Sequence, residues 1–410
     1  MFNESYEQIL DMFKVIDRKL ESPAEVAKEV EKKYIQQKLK VMKNIYDITE
    51  KFIIQNDGVL YGGYALNALL STDMKFYDDL TLPDYDCFLL KPDSKSKELA
   101  DILIKENYPY TEVKHALHEN TYKVFSNFES VADFTGLGKN TIKVIYETAE
   151  TIHNKLKVCS KELLKAFAYL ELCLPQGASY RWVKVYKRLL IFETAFPFNP
   201  KHNTNIVEQL HTYVLPEVEY SLYTKLKRFF KDEEVVFSGV YSLMEHLDCK
   251  VSKKQTKYIE ILSIHPQKHL ERVIEIIKED PSATLKIVTN KEHSDIINVN
   301  VDIYMKNKHM RRYVKIMRIY DTSNNCYSYF DKSTKRISSI YFELYRMYMN
   351  RFLFNDTSND VFIETLSKKL MSDDENMTFT DKCYGTTKSI SAIKKSIWDN
   401  KKKIVFYRPK

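Results

Sequence analysis

The hydrophobic pattern in the first third of the chain predicts a unit of mixed strands and helices. Alternating or short continuous apolar runs indicate strands, and apolar residues at spacings of three and four indicate helices. The predicted elements are strands at 59–61, 84–90, 122–125 and 130–135, and helices at 64–70 and 94–106. Strands and helices in this order predict an α+β fold built on a mixed sheet.

Two acidic residues stand on one side of the predicted strand at 84–90. Asp84 and Asp86 alternate with Tyr85, so the strand period of two places both carboxylates on one face. Neighbouring carboxylates repel each other unless a cation lies between them, and hard oxygen ligands favour Mg²⁺ or Mn²⁺ over zinc. A pair of such ions needs a third carboxylate, and Asp133 has the strand context to supply it. The alternative for Asp133 is a strand-end residue without a ligand role.

A pair of glycines separates the first predicted strand from the first predicted helix. Gly62 and Gly63 follow the apolar run at 59–61 and precede the helical segment at 64–70. Glycines at a strand-to-helix turn let backbone N–H groups approach an anion, and the helix dipole favours phosphate there. The glycines and the acidic strand together predict a site for a phosphate ester and divalent metal ions.

Composition and charge narrow the class of protein. The 410 residues carry a formal net charge of +7, which suits a polyanionic partner, although a lysine-rich composition without such a partner is the alternative. Eight glycines and eleven prolines exclude a collagen-like chain. The six cysteines show no Cys-x-x-Cys pair, so we expect reduced core residues and neither disulfides nor a zinc site. Neither a secretion signal nor a membrane span is indicated.

The remaining segments predict helices and a basic tail. Two N-terminal helices are expected, with a break where Ser22 caps a second helix that starts at Pro23. Residues 160–196 predict two helices separated at 174–178. From residue 382 onward, nine Lys or Arg residues accompany one acidic residue and several aromatic rings, a mixture that can pair with phosphates and stack on unpaired bases. A frayed basic terminus is the alternative.

Residues 235–350 repeat the pattern of the first unit without its chemistry. The aligned positions are Gly239 with Gly62, Val240 with Gly63, Tyr258 with Asp84, and Glu260 with Asp86. The loss of one glycine and one aspartate removes the anion cradle and one metal ligand. We therefore expect a second copy that is inert as an enzyme and serves as a scaffold or an RNA surface. Chance similarity between two α/β segments is the alternative.

The motifs together resemble the nucleotidyltransferase superfamily, and within it the poly(A) polymerase catalytic subunits of large DNA viruses. The resemblance rests on TyrGlyGlyTyrAlaLeuAsn at 61–67, ProAspTyrAspCysPhe at 83–88, Asp133, and SerTyrArgTrpValLysValTyrLysArgLeu at 179–189. In one respect the chain departs from the superfamily. Many members have Ser or Thr directly after the glycines, where this chain has Tyr64, so phosphate binding must rely on backbone and on residues elsewhere.

The resemblance implies a polymerase-β-like nucleotidyltransferase domain and assigns roles to residues within it. Asp84, Asp86 and Asp133 would bind two Mg²⁺ or Mn²⁺ ions and carry catalysis. The implied nucleotide-binding residues are Gly62, Gly63, Tyr64, Asn67, Ser179, Tyr180, Lys184 and Lys187. Lys184 and Lys187 could equally form the solvated side of an amphipathic helix. In the tail, RNA contacts are expected from Lys401, Lys402, Lys403 and Arg408.

The implied activity is template-independent addition of adenylate from ATP to the 3′ end of mRNA, with release of pyrophosphate. We expect ATP and an RNA 3′ end as substrates, a homodimer or a viral accessory subunit as partner, and a cytoplasmic location in the infected cell. The expected divisions are N-terminal helices at 1–57, a catalytic domain at 58–150, its helical continuation at 151–230, a degenerate copy at 231–355 and a tail at 356–410. Two alternatives stay open, namely another nucleotidyltransferase (CCA-adding, uridylyl or small-molecule adenylyl transfer) and a non-catalytic RNA-binding subunit.

Overall fold

A computed structural model describes ten parts of the chain, and the expected α+β class is confirmed. The described residues are 2–77, 84–116, 118–177, 179–200, 205–249, 255–332, 335–372, 379–386, 395 and 406–409. They form two eight-stranded mixed sheets with helices packed against them. Across these described ranges, no helix has the length and apolar character that a membrane crossing requires.

The helices fall into two groups along the chain. Those before residue 200 are α1 (Phe2–Gln55), α2 (Gly62–Leu69), α3 (Pro92–Lys105), α4 (Lys139–Thr148), α5 (Lys161–Leu172) and α6 (Trp182–Ala195). Those after residue 200 are α7 (Ile206–His211), α8 (Tyr220–Asp232), α9 (Val240–His246), α10 (Pro266–Lys278), α11 (Ile340–Phe354) and α12 (Asp360–Met371).

The strands divide between the two sheets. The first sheet contains β1 (Val59–Leu60), β2 (Tyr85–Phe88), β3 (Thr111–His115), β4 (Thr121–Ser126), β5 (Glu129–Thr135), β6 (Glu150–Thr151), β7 (Lys157–Val158) and β16 (Phe406–Tyr407). The second contains β8 (Val236–Ser238), β9 (Ile259–Ser263), β10 (Thr284–Asn290), β11 (Asn300–Lys306), β12 (Val314–Asp321), β13 (Cys326–Lys332), β14 (Lys335–Ser338) and β15 (Cys383–Gly385).

The two sheets share one topology over six strands. The first runs β3-β4-β5-β2-β1-β7 and the second runs β10-β11-β12-β9-β8-β14. Each pair of neighbours also has the same relative direction in both sheets, with β2/β5 matching β9/β12 as parallel pairs and β1/β2 matching β8/β9 as antiparallel pairs. Shared order and direction over six strands are hard to obtain by chance, so the predicted repeat of the fold is confirmed.

The two halves meet through the helix that follows the last shared strand of each sheet. The N-caps of α5 and α11 are Ser160 and Ser339, and each side chain accepts a hydrogen bond from the backbone N–H three residues on. α11 is buried throughout its first eleven residues. Its Tyr348 stacks on Tyr169 of α5 with ring centroids 5.7 Å apart. The tyrosine- and methionine-rich segment at 340–350 is therefore part of the core.

The predicted break near Pro23 is wrong, because α1 is one continuous helix that contains this proline. A proline inside a helix removes one backbone hydrogen bond and crowds the preceding turn. The neighbouring sequence is rich in Ala, Glu and Lys, which have high helix propensity. The local cap motif was therefore outweighed by the propensity of the residues on both sides.

The prediction that all cysteines are reduced is also wrong for two of them. Cys326 and Cys383, which are 57 residues apart, form a disulfide with a Cα–Cα distance of 5.2 Å. They come together because β13 and β15 pair antiparallel, with Ser328 opposite Cys383. No local spacing signals a pairing between strands so distant in sequence. The other four cysteines are free.

The segment after residue 356 contributes to both halves. It includes α12, it supplies β15 to the edge of the second sheet, and it supplies β16 to the edge of the first, where Phe406 and Tyr407 pair antiparallel with β3. The hydroxyl of Tyr407 donates a hydrogen bond of 2.7 Å to Asp101 of α3. These parts of the predicted tail are thus integrated in the fold.

Candidate active site

The turn from β1 to α2 requires glycine at its first helical position. Gly62 has φ +71°, and a Cβ atom built there would lie 2.2 Å from Oδ2 of Asp86. A residue with a side chain would therefore meet both backbone strain and a steric clash. The glycine lets the Asp86 carboxylate lie directly against the backbone at the start of α2.

Two of the three predicted acidic residues are register partners on adjacent strands. β2 and β5 run parallel, with Asp86 opposite Asp133. Side chains at paired positions of neighbouring strands point to the same face, and Asp84, two residues before Asp86, belongs to that face as well. Asp84 accepts a 3.2 Å hydrogen bond from Ser130 of β5. The structure thus brings the strands of Asp86 and Asp133 together, while the ligand roles stay predictions.

A lysine that the sequence did not single out lies against the third carboxylate. Lys123 of β4 is opposite Asp133 in the antiparallel pair, and its Nζ donates to Oδ2 of Asp133. The other oxygen, Oδ1, is buried and has no hydrogen-bond partner among the described residues. A buried carboxylate oxygen without a partner is costly to leave unsatisfied. An incoming cation would therefore be favoured at this oxygen.

The donor set fits Mg²⁺ or Mn²⁺ in its chemistry, although the side chains are not yet arranged around an ion. In the part of the chain that the structure describes, no three His, Cys, Asp or Glu side chains converge as a metal cluster. The orphaned Oδ1 of Asp133 and the hard oxygen donors of Asp84 and Asp86 suit these two ions.

The site holds protons more tightly than isolated carboxylates do. Burial, reinforced by the charges of Asp84 and Asp133, raises the pKa of Asp86 to about 7, against a smaller opposing effect of Lys123 and Arg181. Burial also raises the pKa of Asp133, although Lys123 opposes the shift. The pKa of Lys123 is lowered by burial but raised more by the three carboxylates, so the net shift is upward. A bound divalent cation would supply positive charge at the position where these carboxyl groups otherwise bind protons.

The raised pKa of Asp86 makes the stability of the metal-free protein depend on pH. A carboxyl with a folded-state pKa above its unfolded value contributes stability below the unfolded pKa, and this contribution is lost as pH rises to the folded pKa. A shift from 3.8 to about 7 corresponds to at most about 4 kcal/mol, and the partial exposure of Asp86 reduces it. In EDTA, Asp86→Asn should therefore raise the melting temperature by several degrees at pH 8 and have little effect near pH 4.

A matched control is Asp47→Asn, which removes an exposed carboxylate from α1. Its effect on the melting temperature should be small and similar at both pH values. Equal melting temperatures for Asp86→Asn and the wild-type protein at pH 8 would contradict the electrostatic description of the site.

An arginine beside the second glycine is the strongest phosphate-binding candidate that the sequence analysis missed. A Cβ atom at Gly63 would lie 2.8 Å from Nη1 of Arg188 and 2.5 Å from the hydroxyl of Tyr77. Arg188, on α6, donates a 2.8 Å hydrogen bond to that hydroxyl, and its guanidinium lies 4.7 Å from the ring centroid of Phe76. These contacts hold a planar cation at the start of α2, where the backbone N–H groups also face outward.

A second arginine, Arg181, belongs to the same cationic face. It lies 3.2 Å from Glu171, and its charge lowers the pKa of Asp86, which places it within electrostatic range of the acidic cluster. Arg181, Lys184 and Arg188 are spaced by three and four residues, so they share one side of the α6 segment. This spacing was present in the sequence and could have distinguished Arg188 from Lys187.

Two residues of the first motif have contacts inside the protein. The Tyr64 ring packs edge-on against Tyr85 at 4.8 Å, and its hydroxyl lies 3.3 Å from Nε2 of His153. Oδ1 of Asn67 accepts hydrogen bonds from the backbone N–H groups of Phe76 and Tyr77, at 2.9 and 3.0 Å. Asn67 thus fixes the loop that carries Tyr77. For both residues the observed contacts indicate positioning, and nucleotide contact stays a prediction.

The predicted residues around the start of α6 are largely exposed. Ser179 and Tyr180 lie on a 3₁₀ turn, Ser179–Arg181, and Tyr180 is 88% exposed. Lys184 is exposed, and burial and the neighbouring Arg188 lower its pKa, while Glu171 and Asp84 oppose this shift. Lys187 is also exposed. For all four residues, nucleotide contact stays a prediction.

The predicted RNA contacts of the tail are described only in part. Arg408 is exposed and lies 3.4 Å from Glu112 of β3. Lys401, Lys402 and Lys403 lie outside the described residues. A role of Arg408 in RNA binding would require it to exchange this carboxylate for a phosphate.

Comparison with known sequences supports the resemblance seen in the motifs. Residues 47–178 match the family model described as poly(A) polymerase catalytic subunit. A protein of African swine fever virus named as such a subunit is 24% identical over 258 residues, which cover 60% of this chain and 51% of the relative. A protein of Acanthamoeba polyphaga mimivirus with the same name is 33% identical over 94 residues, covering 22% of this chain and 16% of the relative. The chain thus spans about half the length of the African swine fever virus relative, 51%.

Comparison of folds extends the similarity beyond the matched segment. The crystal structure of the Megavirus polyadenylate synthase superposes with a TM-score of 0.70 at 19% sequence identity, covering 93% of this chain and 82% of that one. Both sheets are therefore shared with a solved structure. Residues 47–178 are thus similar in sequence to viral poly(A) polymerase catalytic subunits, and most of the chain shares the fold of the Megavirus polyadenylate synthase.

Proposed function

We propose that the protein is a template-independent RNA nucleotidyltransferase that adds adenylate from ATP to an RNA 3′ end. The observation that carries the proposal is the in-register pair Asp86 and Asp133, held against the glycine turn at Gly62 with a cationic helix face beside it. Candidate metal ligands and candidate phosphate-binding groups would then lie together beside the neighbouring strands β2 and β5. The similarity to viral poly(A) polymerase catalytic subunits supports adenylate as the transferred group.

The acidic residues would act as metal ligands and not as acid–base catalysts. Asp84 and Asp86 would hold both ions, and Asp133 would complete the site on the primer side. Two bound Mg²⁺ or Mn²⁺ ions would supply a lowered pKa for the RNA 3′-hydroxyl and neutralisation of the triphosphate. The 3′-oxygen would form a bond to the α-phosphorus of ATP while the bond between the α-phosphorus and the oxygen bridging to the β-phosphate breaks. The hydroxyl proton would pass to water, and pyrophosphate would leave. The protein itself would contribute by aligning the RNA 3′-hydroxyl with the α-phosphate and by placing charged groups around the triphosphate.

The triphosphate would lie between the start of α2 and the cationic face of α6. Backbone N–H groups at Gly62 and Gly63 can approach it closely because neither residue has a side chain. Arg188, fixed by Tyr77 and Phe76, would pair with phosphate oxygens through its planar fork. Lys184 would add a second charge from the same helix face.

Removal of the Arg188 charge should weaken ATP binding strongly. A charge-assisted hydrogen bond contributes about 1.5–3 kcal/mol, so Arg188→Leu should raise KM for ATP by roughly 10- to 100-fold. Arg188→Lys should recover part of this loss because it keeps the positive charge. Recovery should be incomplete because lysine lacks the planar pair of N–H donors. The measurement is steady-state incorporation over a range of ATP concentrations.

The matched control for this effect is Arg228→Leu, since Arg228 is an exposed arginine on α8 in the other half of the protein. It should leave KM unchanged. An unchanged KM for ATP in Arg188→Leu would show that Arg188 does not bind the triphosphate.

The direct test of the proposed function is primer extension with purified protein. An oligo(A) RNA primer is incubated with each of the four ribonucleotides separately, in Mg²⁺ or in Mn²⁺, and products are resolved on a sequencing gel. Extension with ATP in preference to the others is expected. Preference for CTP or UTP would indicate a CCA-adding or uridylyl enzyme, and RNA retention without nucleotide consumption would indicate a non-catalytic subunit.

Assembly and location are further parts of the proposal. Association with a second copy or with a viral accessory subunit, and action in the cytoplasm of the infected cell, follow from the resemblance to viral polymerases. Light scattering on the purified chain tests self-association. A monomeric protein at micromolar concentration would contradict the proposed homodimer.

A further inference from the structure

The second sheet carries a pocket at the position equivalent to the candidate active site. Glu260 of β9 is opposite Arg318 of β12, as Asp86 is opposite Asp133 in the first sheet. Gly239 has φ +62°, and a Cβ atom there would lie 2.1 Å from Oε1 of Glu260. Glu260 and Arg318 line a pocket of about 410 Å³ together with Tyr258, which aligns with Asp84. The geometry of the turn and of the paired strands is thus conserved between the halves while the charges are not.

Two positions of the second sheet carry the opposite charge to their equivalents in the first sheet, which explains why this pocket is unsuited to a divalent metal ion. The third carboxylate of the first sheet is replaced by Arg318, whose guanidinium donates to both oxygens of Asp302, at 2.6 and 2.7 Å. Asp302 occupies the place that Lys123 has in the first sheet. The remaining carboxylate, Glu260, already lies 3.6 Å from the guanidinium of Arg346 and accepts a 2.8 Å hydrogen bond from Tyr320. A protein cation therefore neutralises each carboxylate that a metal would need.

The groups that face the pocket are suited to an anion. Arg312, Lys315, Arg318 and Arg346 line it, against two carboxylates, Glu260 and Asp356. Arg318 and Arg346 are held from behind by the buried residues Asp302 and Glu343, which fixes their orientation. Burial and the neighbouring Arg318 lower the pKa of Lys315, so an anion beside this lysine would stabilise its charged form.

An unsatisfied buried donor points to a ligand. Tyr258 is 7% exposed, and its hydroxyl has no hydrogen-bond partner among the described residues. Nζ of Lys315 lies 5.1 Å from the centroid of the Tyr258 ring, and both residues line the pocket. A buried hydroxyl without a partner is unfavourable, and an acceptor oxygen in the pocket would satisfy it. At its rim, Tyr313 is 43% exposed and offers a ring for stacking.

We propose that this second-sheet pocket binds the phosphate group of a nucleotide without a metal ion, through Lys315, Arg312 and the hydroxyl of Tyr258. The volume lies within the roughly 300–1,000 Å³ of small-molecule sites, which admits one nucleotide unit. The phosphate can belong to free ATP or to a nucleotide within RNA, since both present the same group. The inference is independent of the proposed polymerase activity, because it concerns binding at the other sheet.

The test measures binding in EDTA, where no catalysis occurs. Wild-type full-length protein is titrated with ATP by calorimetry and with 5′-fluorescein-labelled oligo(A) RNA by anisotropy. The double variant Arg312→Gln/Lys315→Gln removes the charge of the exposed Arg312 and that of Lys315, whose Nζ lies 3.7 Å from Oδ2 of Asp302. It should weaken binding of at least one probe by about 10-fold or more. The matched control Lys308→Gln/Arg311→Gln removes two nearby exposed charges that do not line the pocket, and it should change affinity by less than about 3-fold.

Tyr258→Phe separates ligand binding from structure. Its hydroxyl has no protein partner in the described ranges, so the variant should melt no lower than wild type and yet bind the affected probe roughly 3- to 10-fold more weakly. Loss of ATP affinity in both variants would support a free nucleotide, and loss of RNA affinity alone would support a nucleotide of the RNA. Unchanged affinity for both probes relative to the control, or no binding to the wild-type protein, would overturn the proposal.

Discussion

Conversion of Asp84 and Asp86 together to asparagine should reduce adenylate incorporation by at least about 10³-fold while the protein stays folded. Asparagine has nearly the same shape as aspartate but carries no charge, so the two metal ions lose their shared anionic ligands. Because the metal-free site is already strained by neighbouring negative charges, the variant should melt no lower than wild type in EDTA. Primer extension and thermal melting on the same preparations measure both effects.

The control for this result is again Asp47→Asn, which is expected to retain full incorporation. Substantial extension by the Asp84→Asn/Asp86→Asn variant would refute the assignment of the active site to the first sheet.

The second large effect is expected from a single methyl group at Gly62. Gly62→Ala would place a Cβ atom 2.2 Å from Oδ2 of Asp86 and would hold alanine at φ +71°. The strain alone costs roughly 1–2 kcal/mol, and the carboxylate must move to relieve the clash. Displacement of a reacting group by about 1 Å can lower a rate by 10²-fold, so incorporation should fall by about that factor or more.

Gly138→Ala provides the matched glycine control. A Cβ atom at Gly138 would lie 3.4 Å from the nearest side-chain atom, Oδ2 of Asp295, and this residue has an ordinary negative φ of −57°. Its incorporation rate should stay within about 2-fold of wild type. Full activity in Gly62→Ala would show that the carboxylate need not lie against the α2 backbone.

The sequence was informative where short-range rules decide the structure. The alternation of Asp84 and Asp86 about Tyr85, and the glycines between a strand and a helix, are local patterns with a specific backbone meaning. They predicted β2 and the start of α2, and they directed attention to Asp133 as a third carboxylate, although its register opposite Asp86 is known only from the structure. The repeat in the second half was visible for the same reason, since Gly239 and Glu260 retain the turn geometry.

The sequence was uninformative where strand registers and distant side chains decide the site. Lys123 reaches Asp133 only because β4 and β5 pair with that register. Arg188 lies beside Gly63 because α6 packs near a loop that Asn67 fixes, more than a hundred residues earlier in the chain. The replacement of the third carboxylate by Arg318 was missed because the aligned segments ended before β12. In each case the register of paired strands or the packing of separate elements, and no single local motif, sets the chemistry.

The last described strand has a practical consequence for work on this protein. Phe406 and Tyr407 cover the outer edge of β3, and an uncovered strand edge is a template for pairing with another chain. A version shortened before Phe406 would expose that edge, so its dimers or aggregates could arise from strand addition between copies. Affinity tags and truncations are therefore better placed at the other terminus, and oligomers of shortened versions should not be read as native assemblies.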